Sequence, residues 1–174
     1  MMNRLMLASL AITSVQACDI IPNVTHTFFG FPDNQTPGPI IAFNCGRGLV
    51  AGGVGTFDDP LTFASAPGLF SPCEVIFDPF LRKFLRFEDI CAQCVADFEA
   101  GIPHIDVWIG SNETDGGQAQ IDCEMSLTPA VPQSIIRNPN ANLRVDTTPL
   151  FVPGANQPCN VNNIFPDANP AEFC

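Results

Sequence analysis

A shortage of positive charge is the first feature of this sequence. Its 174 residues include 7 Lys and Arg against 18 Asp and Glu, which gives a formal net charge of −11. Nucleic-acid binding depends on cationic side chains that displace counterions from phosphates. We therefore expect neither nucleic acid nor an anionic membrane as a partner, whereas neutral or cationic polymers such as glucans and chitin derivatives remain compatible with the charge.

Several catalytic and cofactor-binding motifs are also missing. The sequence has no Gly-x-Ser-x-Gly elbow, no His-Glu-x-x-His and no phosphate-loop lysine. The glycine-rich stretch that begins at Gly46 satisfies a relaxed dinucleotide fingerprint, but no helical pattern follows it, so we interpret residues 45–55 as a loop. We expect no cofactor. With two histidines and no tyrosine, the remaining side-chain chemistry is that of carboxylates.

The first 17 residues have the pattern of a secretory signal peptide. A basic start at Arg4 precedes the apolar run Leu5–Val15, and Ala17 provides the small residue before the predicted cleavage. The run is too short to span a bilayer, which takes roughly 20 apolar residues. The sequence therefore predicts an extracellular protein without a membrane anchor. A bacterial lipoprotein starting at Cys18 is the alternative, although Gln16 is a poor residue for that motif.

Eight cysteines and three sequons fit an oxidising secretory route. An even cysteine count in a secreted chain predicts disulfides, although spacing alone does not give the pairing. The Cys91-x-x-Cys94 pair could be half of a zinc site, but no second pair follows, so we predict no metal. The predicted glycosylation sites are Asn23, Asn34 and Asn112.

The pattern of apolar residues predicts an all-β domain. Apolar stretches are short and rich in Phe, Val and Ile, and 17 prolines and 13 glycines interrupt them. The predicted strands are Thr25–Gly30, Ile40–Phe43, Leu61–Phe63, Cys73–Phe77, Lys83–Phe87 and Ile105–Ile109. Residues 91–101 form either a short helix or a disulfide-pinned loop. From residue 129 onwards Pro and Asn dominate, which predicts an extended strap. We thus divide the chain into a signal peptide (1–17), a barrel domain (18–128) and a C-terminal extension (129–174).

Three carboxylates lie on apolar, strand-like segments, where an ionised side chain is costly unless it is paired or used. They are Glu88, Asp89 and Asp106. Strand alternation puts Asp106 on the opposite face from Ile105 and Val107. These carboxylates either serve a binding or catalytic groove, or simply cap turns and strand ends.

Two blocks of sequence resemble expansins, loosenins and family 45 endoglucanases. In Phe84–Cys94 a strand ends in Asp89 and leads into a cysteine-bearing segment, and His104-Ile105-Asp106-Val107-Trp108 follows ten residues later. Residues 25–30 and 51–64 are similar to the first and second strand regions of that group. The resemblance covers roughly residues 25–128 and implies a six-stranded double-psi β-barrel, of the type also found in secreted fungal proteins.

The resemblance also implies roles for individual residues. Asp106 matches the general acid of the endoglucanases, Asp89 matches an Asp beside their groove, and Thr27 and Phe28 match the groove floor. The second catalytic Asp of the endoglucanases follows a Tyr-Trp pair, whereas here Asp33 is displaced by several residues. An inverting hydrolase needs two carboxyls about 6.5–9.5 Å apart, so this departure favours binding over hydrolysis. The second, β-sandwich domain of expansins has no counterpart in the Pro/Asn-rich extension.

These observations lead to one hypothesis and two alternatives. We expect a secreted monomer that binds or loosens a cell-wall polysaccharide of glucan or chitin type in an open acidic groove lined by Asp89, His104 and Asp106. Trp108 would stack on a sugar ring. The first alternative is a glycosidase or lytic transglycosylase with Asp106 as general acid and Asp33 or Asp89 as its partner. The second is a non-catalytic effector or inhibitor that binds a host protein.

Overall fold

The computed structural model describes residues 18–31, 38–110 and 114–174, and six strands in these ranges close into a barrel. The strands are β1 (Asp19–Phe29), β2 (Leu61–Ser65), β3 (Val75–Asp78), β4 (Lys83–Ile90), β5 (His104–Trp108) and β6 (Gln133–Arg137). Two helices, α1 (Ala92–Glu99) and α2 (Gly117–Leu127), and two short 3₁₀ turns, Val161–Asn163 and Pro170–Phe173, accompany them. The predicted signal peptide (1–17), Asp33, Asn34 and Asn112 lie outside the described residues.

The strands follow the order β1-β5-β2-β4-β3-β6 around the barrel. The pairs β1/β5 and β2/β4 are parallel, and the other four pairs are antiparallel. A parallel pair cannot be joined by a tight hairpin, so long connections run outside the barrel and become available to cover its outer surface. The predicted all-β class and the closed six-stranded barrel are confirmed.

Alternation along the strands divides the side chains between the barrel interior and its outer face. Ile105 and Val107 of β5 are fully buried in the core with Phe63 of β2 and Leu85 of β4. Asp106 lies between the two β5 core residues and therefore projects from the outer face. This orientation agrees with the predicted one, because Ile105 and Val107 on either side of Asp106 are both in the core.

The sequence pattern indicates one of the two helices but not the other. Helix α1 falls within the predicted segment 91–101, and the Cys91 sulfur caps it by accepting the backbone N–H of Cys94 at 3.0 Å. Helix α2 was not predicted. It starts at a glycine, is rich in polar residues, and buries only Gln120, Cys123 and Leu127. So narrow a buried face gives little helical periodicity. No helix in the described ranges is long and apolar enough to cross a bilayer.

The predicted boundary at residue 128 is wrong, because β6 lies beyond it and closes the barrel between β1 and β3. Its five residues lie between Pro132 and Pro139, so none of them lacks a backbone donor. Ile135 packs into the main core, and Ile136 packs on the outside against Phe77 and Phe84. The predicted strand Ile40–Phe43 is also absent, since only an isolated bridge between Ile40 and Val50 occurs there.

Beyond residue 137 the chain is the predicted extended strap, and disulfides fasten it at two points. Cys174 pairs with Cys18 before β1, and Cys159 pairs with Cys123 on α2. The other two disulfides are Cys45–Cys73 and Cys91–Cys94, and all eight cysteines are paired. The two strap disulfides close loops of very different length. Cross-links of this kind restrict the unfolded chain, which contributes typically 2–4 kcal/mol each.

Lys83 makes a third attachment of the strap. Its ammonium group donates to the backbone carbonyls of Asp146 and Thr148, the latter at 2.9 Å. The side chain is only 2% exposed, and burial lowers the pKa of Lys83 to about 8 against a smaller raising effect from Asp146. The strap therefore covers the ammonium group of Lys83, which is the first residue of β4.

The position of β6 predicts that the barrel cannot form without residues 133–137. We compare two truncated chains, both with Cys18→Ser and Cys123→Ala because the partner cysteines are removed. The chain that ends at Pro132 should show no cooperative thermal unfolding, since β1 and β3 become open edges. The chain that ends at Pro149 keeps β6 and should unfold cooperatively. A cooperative calorimetric transition in the shorter chain would contradict this prediction, because it would show that the domain predicted at 18–128 folds without β6.

The burial of Lys83 predicts an unusual stability profile at alkaline pH. Lys83 is the single lysine, tyrosine is absent and no thiol is free, so other side chains hardly titrate between pH 8 and about 10.4, the ordinary lysine pKa. In that window the unfolded chain holds a proton that the folded chain has lost, so stability rises with pH, by at most about 1.4 kcal/mol per unit.

The measurement is denaturant unfolding of the wild type and Lys83→Met from pH 7.5 to 10.5. The wild-type free energy of unfolding should rise across this window, and that of the variant should stay flat. Equal slopes would show that Lys83 titrates normally in the folded protein.

Candidate functional site

One register row crosses four neighbouring strands on the outer face of the barrel. Thr27 of β1 pairs with Asp106 of β5, Asp106 pairs with Ala64 of β2, and Ala64 pairs with Asp89 of β4. Neighbouring strands are about 4.8 Å apart, so the backbones at Asp106 and Asp89 are separated by roughly 10 Å. The parallel pairing of β1 with β5 thus brings Thr27 and Asp106 together from positions 79 residues apart.

A groove with a cavity volume of about 270 Å³ lies over the Thr27 end of this row. Strands β1 and β5 form its floor, the beginning of α1 forms one wall and α2 forms the other. Its lining residues are Thr27, Phe28, Cys91, Gln93, His104, Asp106, Ile121, Glu124, Met125 and Thr128. The groove therefore combines two carboxylates with hydroxyl, amide and imidazole groups and with an apolar rim, where Met125 is 64% exposed.

Four side chains form a continuous hydrogen-bonded chain at the groove floor. Asp97 Oδ2 lies 2.6 Å from His104 Nδ1, and His104 Nε2 lies 2.9 Å from Thr27 Oγ1. The Thr27 hydroxyl donates to Asp106 Oδ1 at 2.7 Å. The chain leads from a partly exposed carboxylate on α1, through a buried imidazole, to a carboxylate in the groove.

Burial and hydrogen bonding act on the two titratable groups at the α1 end of this chain. Burial lowers the pKa of His104, against a smaller raising effect from Asp97. Hydrogen bonds from Gln93 and from His104 hold the pKa of Asp97 below its ordinary value. Asp97 is therefore ionised at neutral pH and accepts hydrogen bonds only. Consequently Nδ1 of His104 carries the hydrogen that this contact shares.

The order Asp97, His104, Thr27 matches that of a hydrolase triad, but the Thr27 hydroxyl also contacts a second acceptor, Asp106. In a triad the nucleophile's hydroxyl donates to the imidazole that activates it. Here, when Asp106 is ionised, Thr27 donates to that carboxylate instead. The arrangement makes Thr27 a bridge between an imidazole and a carboxylate, and Asp106 is the group that reaches the groove.

The structure brings four of the predicted site residues together and separates two others. Thr27, Phe28, His104 and Asp106 all line the groove. Asp89 does not, and its Oδ1 accepts the backbone N–H of Ala42 at 3.0 Å. Asp89 is therefore placed to hold the chain segment beside β4 rather than to face a ligand in this groove.

Trp108, predicted to stack on a sugar ring, does not line the groove. Trp108 is on the same face of β5 as Asp106, but it is only 2% exposed and packs edge-on against Phe29 at 5.3 Å between ring centroids. It borders a different cavity, of about 190 Å³, together with Lys83 and Phe151. The strap covers this part of the face, so the ring cannot stack on a sugar in the groove.

Sequence reasoning missed the residues that the helices contribute. Asp97 and Gln93 belong to α1, and Glu124 and Met125 belong to α2. The seven-residue spacing between Asp97 and His104 was a weak signal, because the intervening turn at Gly101 reverses the chain. Nothing in the local sequence links α2 to the groove. Of the predicted glycosylation sites, Asn23 is described, and it lies exposed at an irregularity between β1 and β6.

Glu88, the third candidate carboxylate, has a structural role. It is fully buried, and its Oε1 accepts from Arg86 at 2.6 and 2.7 Å while Oε2 accepts from Thr62 at 2.5 Å. Arg47 approaches Oε1 at 3.4 Å and also donates to the Pro60 carbonyl. The carboxylate thereby fixes the glycine-rich loop against β2 and β4. Among the described residues no group of three or more His, Cys, Asp or Glu side chains could hold a metal ion.

The fold and groove define this chain as a disulfide-linked six-stranded barrel protein with an acidic surface groove. The chain belongs to the family described as DDB_G0273701 N-terminal domain, whose model matches residues 21–160. It is 33% identical over 148 residues to a Dictyostelium discoideum protein named Uncharacterized protein DDB_G0273701/DDB_G0273221. That match covers 84% of this chain but 64% of the relative, so the chain spans less than two thirds of the relative's length. No solved structure matches.

The role of Glu88 predicts a selective loss of stability. Glu88→Gln leaves two guanidinium groups without their buried counter-charge and should lower the free energy of unfolding by about 3–5 kcal/mol. The matched control, Glu99→Gln at the exposed end of α1, should change it by less than about 0.5 kcal/mol. Chemical denaturation of both variants measures these changes. An unchanged free energy of unfolding in Glu88→Gln would show that the loop does not depend on this carboxylate.

Proposed function

We propose that this protein is extracellular and binds a neutral or cationic cell-wall polysaccharide in the groove between α1 and α2. The observation that carries the proposal is the position of Asp106 on the groove floor, hydrogen-bonded through Thr27 to His104. A carboxyl held in one orientation by a fixed network can recognise a sugar hydroxyl without first losing side-chain freedom.

The composition of the groove supports a carbohydrate ligand. Asp106, Glu124 and Gln93 supply acceptors and donors for hydroxyl groups, while Ile121 and Met125 offer apolar contact to the C–H faces of sugar rings. A binding site of this kind needs few polar groups if they converge on one wall or floor. Because Trp108 is buried, the apolar part of the contact falls to aliphatic and thioether side chains rather than to an aromatic ring.

Charge limits the polymers that the groove can accept. Two carboxylates line it, and its lining includes no lysine or arginine among the residues that the structure describes. An acidic glycan would therefore be repelled, whereas glucans would be tolerated and amino sugars with free amines would be attracted. Glucan and chitin derivatives are accordingly the first polymers to test.

The extracellular location draws on the disulfides and on the predicted signal peptide. Four disulfides form and persist where the environment is oxidising. Two of them fasten the strap across the outer face, and reduction in the cytosol would release it. The resemblance to expansins and loosenins adds the same expectation, together with activity on a cell wall.

Hydrolysis is the second candidate function, because two carboxylates share one groove. In this hypothesis Asp106 is the general acid and Glu124 is its partner, because Glu124 lines the same groove and Asp89 does not. The discriminating assay is reducing-end release from glucans, chitin and peptidoglycan. Release that is lost in both Asp106→Asn and Glu124→Gln would support a glycosidase.

The central prediction concerns Asp106→Asn. The amide keeps the shape and can still accept from Thr27, but it has neither the negative charge nor an acidic proton. Polysaccharide affinity in a pull-down or calorimetric titration should fall at least tenfold, about 1.4 kcal/mol. The free energy of unfolding should change little, because the side chain lies on the outer face.

The matched control is Asp122→Asn, the same substitution on α2 outside the groove lining, and it should bind like the wild type. If Asp106→Asn instead loses several kcal/mol of stability while each folded molecule binds normally, Asp106 is structural. Recovery of a protein from an extract despite competing polysaccharide would favour the effector or inhibitor alternative.

A further inference from the structure

The hydrogen-bonded chain at the groove floor contains one hydrogen that two acceptors compete for. Thr27 has a single hydroxyl hydrogen, and both of its neighbours can accept one: Nε2 of neutral His104 at 2.9 Å and the carboxylate of Asp106 at 2.7 Å. Because Nδ1 of His104 already donates to Asp97, neutral His104 has no second hydrogen to offer. With both groups deprotonated, one of the two contacts at Thr27 lacks a hydrogen.

One additional proton resolves the conflict in either of two ways. Placed on His104, it lets Nε2 donate to the Thr27 oxygen while Thr27 donates to the Asp106 carboxylate. Placed on Asp106, it lets the carboxylic acid donate to the Thr27 oxygen while Thr27 donates to Nε2. Both states contain the same atoms and charge, and each gives one hydrogen to every contact that links Asp97, His104, Thr27 and Asp106. They interconvert when two hydrogens move along the chain, with no external donor.

We propose that Thr27 relays one proton between His104 and Asp106, so that the acid in the groove is a shared unit rather than a lone carboxyl. Asp97 is the positioning residue of this unit, because its carboxylate fixes the hydrogen on Nδ1 and leaves Nε2 to face Thr27. The two sites then titrate as a coupled pair, whose apparent constants belong to both residues together.

The surroundings of His104 favour the state with the proton on Asp106. His104 is 3% exposed, and its burial disfavours the imidazolium form, as does the nearby His26 of β1. Asp97 of α1 acts in the opposite direction. Glu124 of α2 lines the same groove and opposes a further negative charge there. Burial and His26 thus move the proton from His104 towards Asp106. Asp97 and Glu124 help the pair to keep the proton.

The relay deepens the proposed function and rests on it for its consequence. A carboxylic acid on the groove floor can donate a hydrogen bond to a glycosidic or hydroxyl oxygen, which a carboxylate cannot. The shared proton would let Asp106 do so at a pH where an isolated exposed carboxyl is ionised. Binding should therefore weaken as pH rises through the loss of this proton.

The relay can be tested in the ligand-free protein by recording the imidazole nitrogen shifts of both histidines against pH. His104 in the wild type should change in two steps, because the first proton taken up is shared with Asp106 and the second is not. Asp106→Asn and Thr27→Val should each reduce this to one step. Thr27→Ser retains the hydroxyl and should restore two steps.

The second histidine is the internal control. His26 lies inside the barrel, donates from Nδ1 to the Val24 carbonyl and lies 3.3 Å from Asp78, so its signals report an intact core in each variant. A single step in the wild type overturns the relay. Two steps that persist in Thr27→Val also overturn it, since the coupling would then be a field effect. If Thr27→Val disturbs His26, the comparison of wild type, Asp106→Asn and Thr27→Ser still decides.

The outcome is independent of whether a polysaccharide binds. Two-step titration with no measurable binding would reject the proposed function and leave the relay standing. Binding that depends on Asp106, together with one-step titration, would reject the relay alone.

Discussion

The parallel pairing of β1 with β5 is the interaction on which the rest of this structure depends. It sets Thr27 beside Asp106 on the outer face, and it places His26 and Phe28 opposite Ile105 and Val107 in the core. A parallel pair requires a long crossover, and the chain between β1 and β5 supplies three more strands and α1. A shift of one residue in this register would turn Asp106 into the core and an apolar neighbour outwards.

The same constraint explains why the outer face of the barrel carries polar side chains that are nevertheless buried. Crossover segments, α2 and the strap cover most of that face, so the side chains beneath them need partners. Glu88 of β4, for example, finds two arginines and a threonine. Over Thr27 and Asp106 the covering elements leave a groove, and there the polar row is open to a ligand.

Arginine side chains and disulfides hold the covering segments against the barrel. The chain has few cations, and those near buried positions are used to fix covering segments: Arg47 and Arg86 hold the glycine-rich loop, and Arg137 holds Glu74 at 2.6 Å. None of them reaches the groove, which therefore keeps a negative lining. Cross-links at Cys123 and Cys174 hold the strap where apolar contact alone is sparse, as in other small disulfide-rich domains.

The local sequence pattern alone determined the all-β class and the alternation around Asp106, because both follow from the side-chain period of strands. Proline geometry determined the extended strap, and the even cysteine count determined that the cysteines form disulfides. The tertiary structure decided what spans distance in the chain. It assigned β6 to the barrel, since a strand between two prolines is recognised only by its neighbours β1 and β3. It buried Trp108 under the strap, brought Glu124 to the groove and placed Asp97 against His104. Burial and adjacency of that kind depend on which distant segments cover a face, and no local sequence pattern encodes that covering.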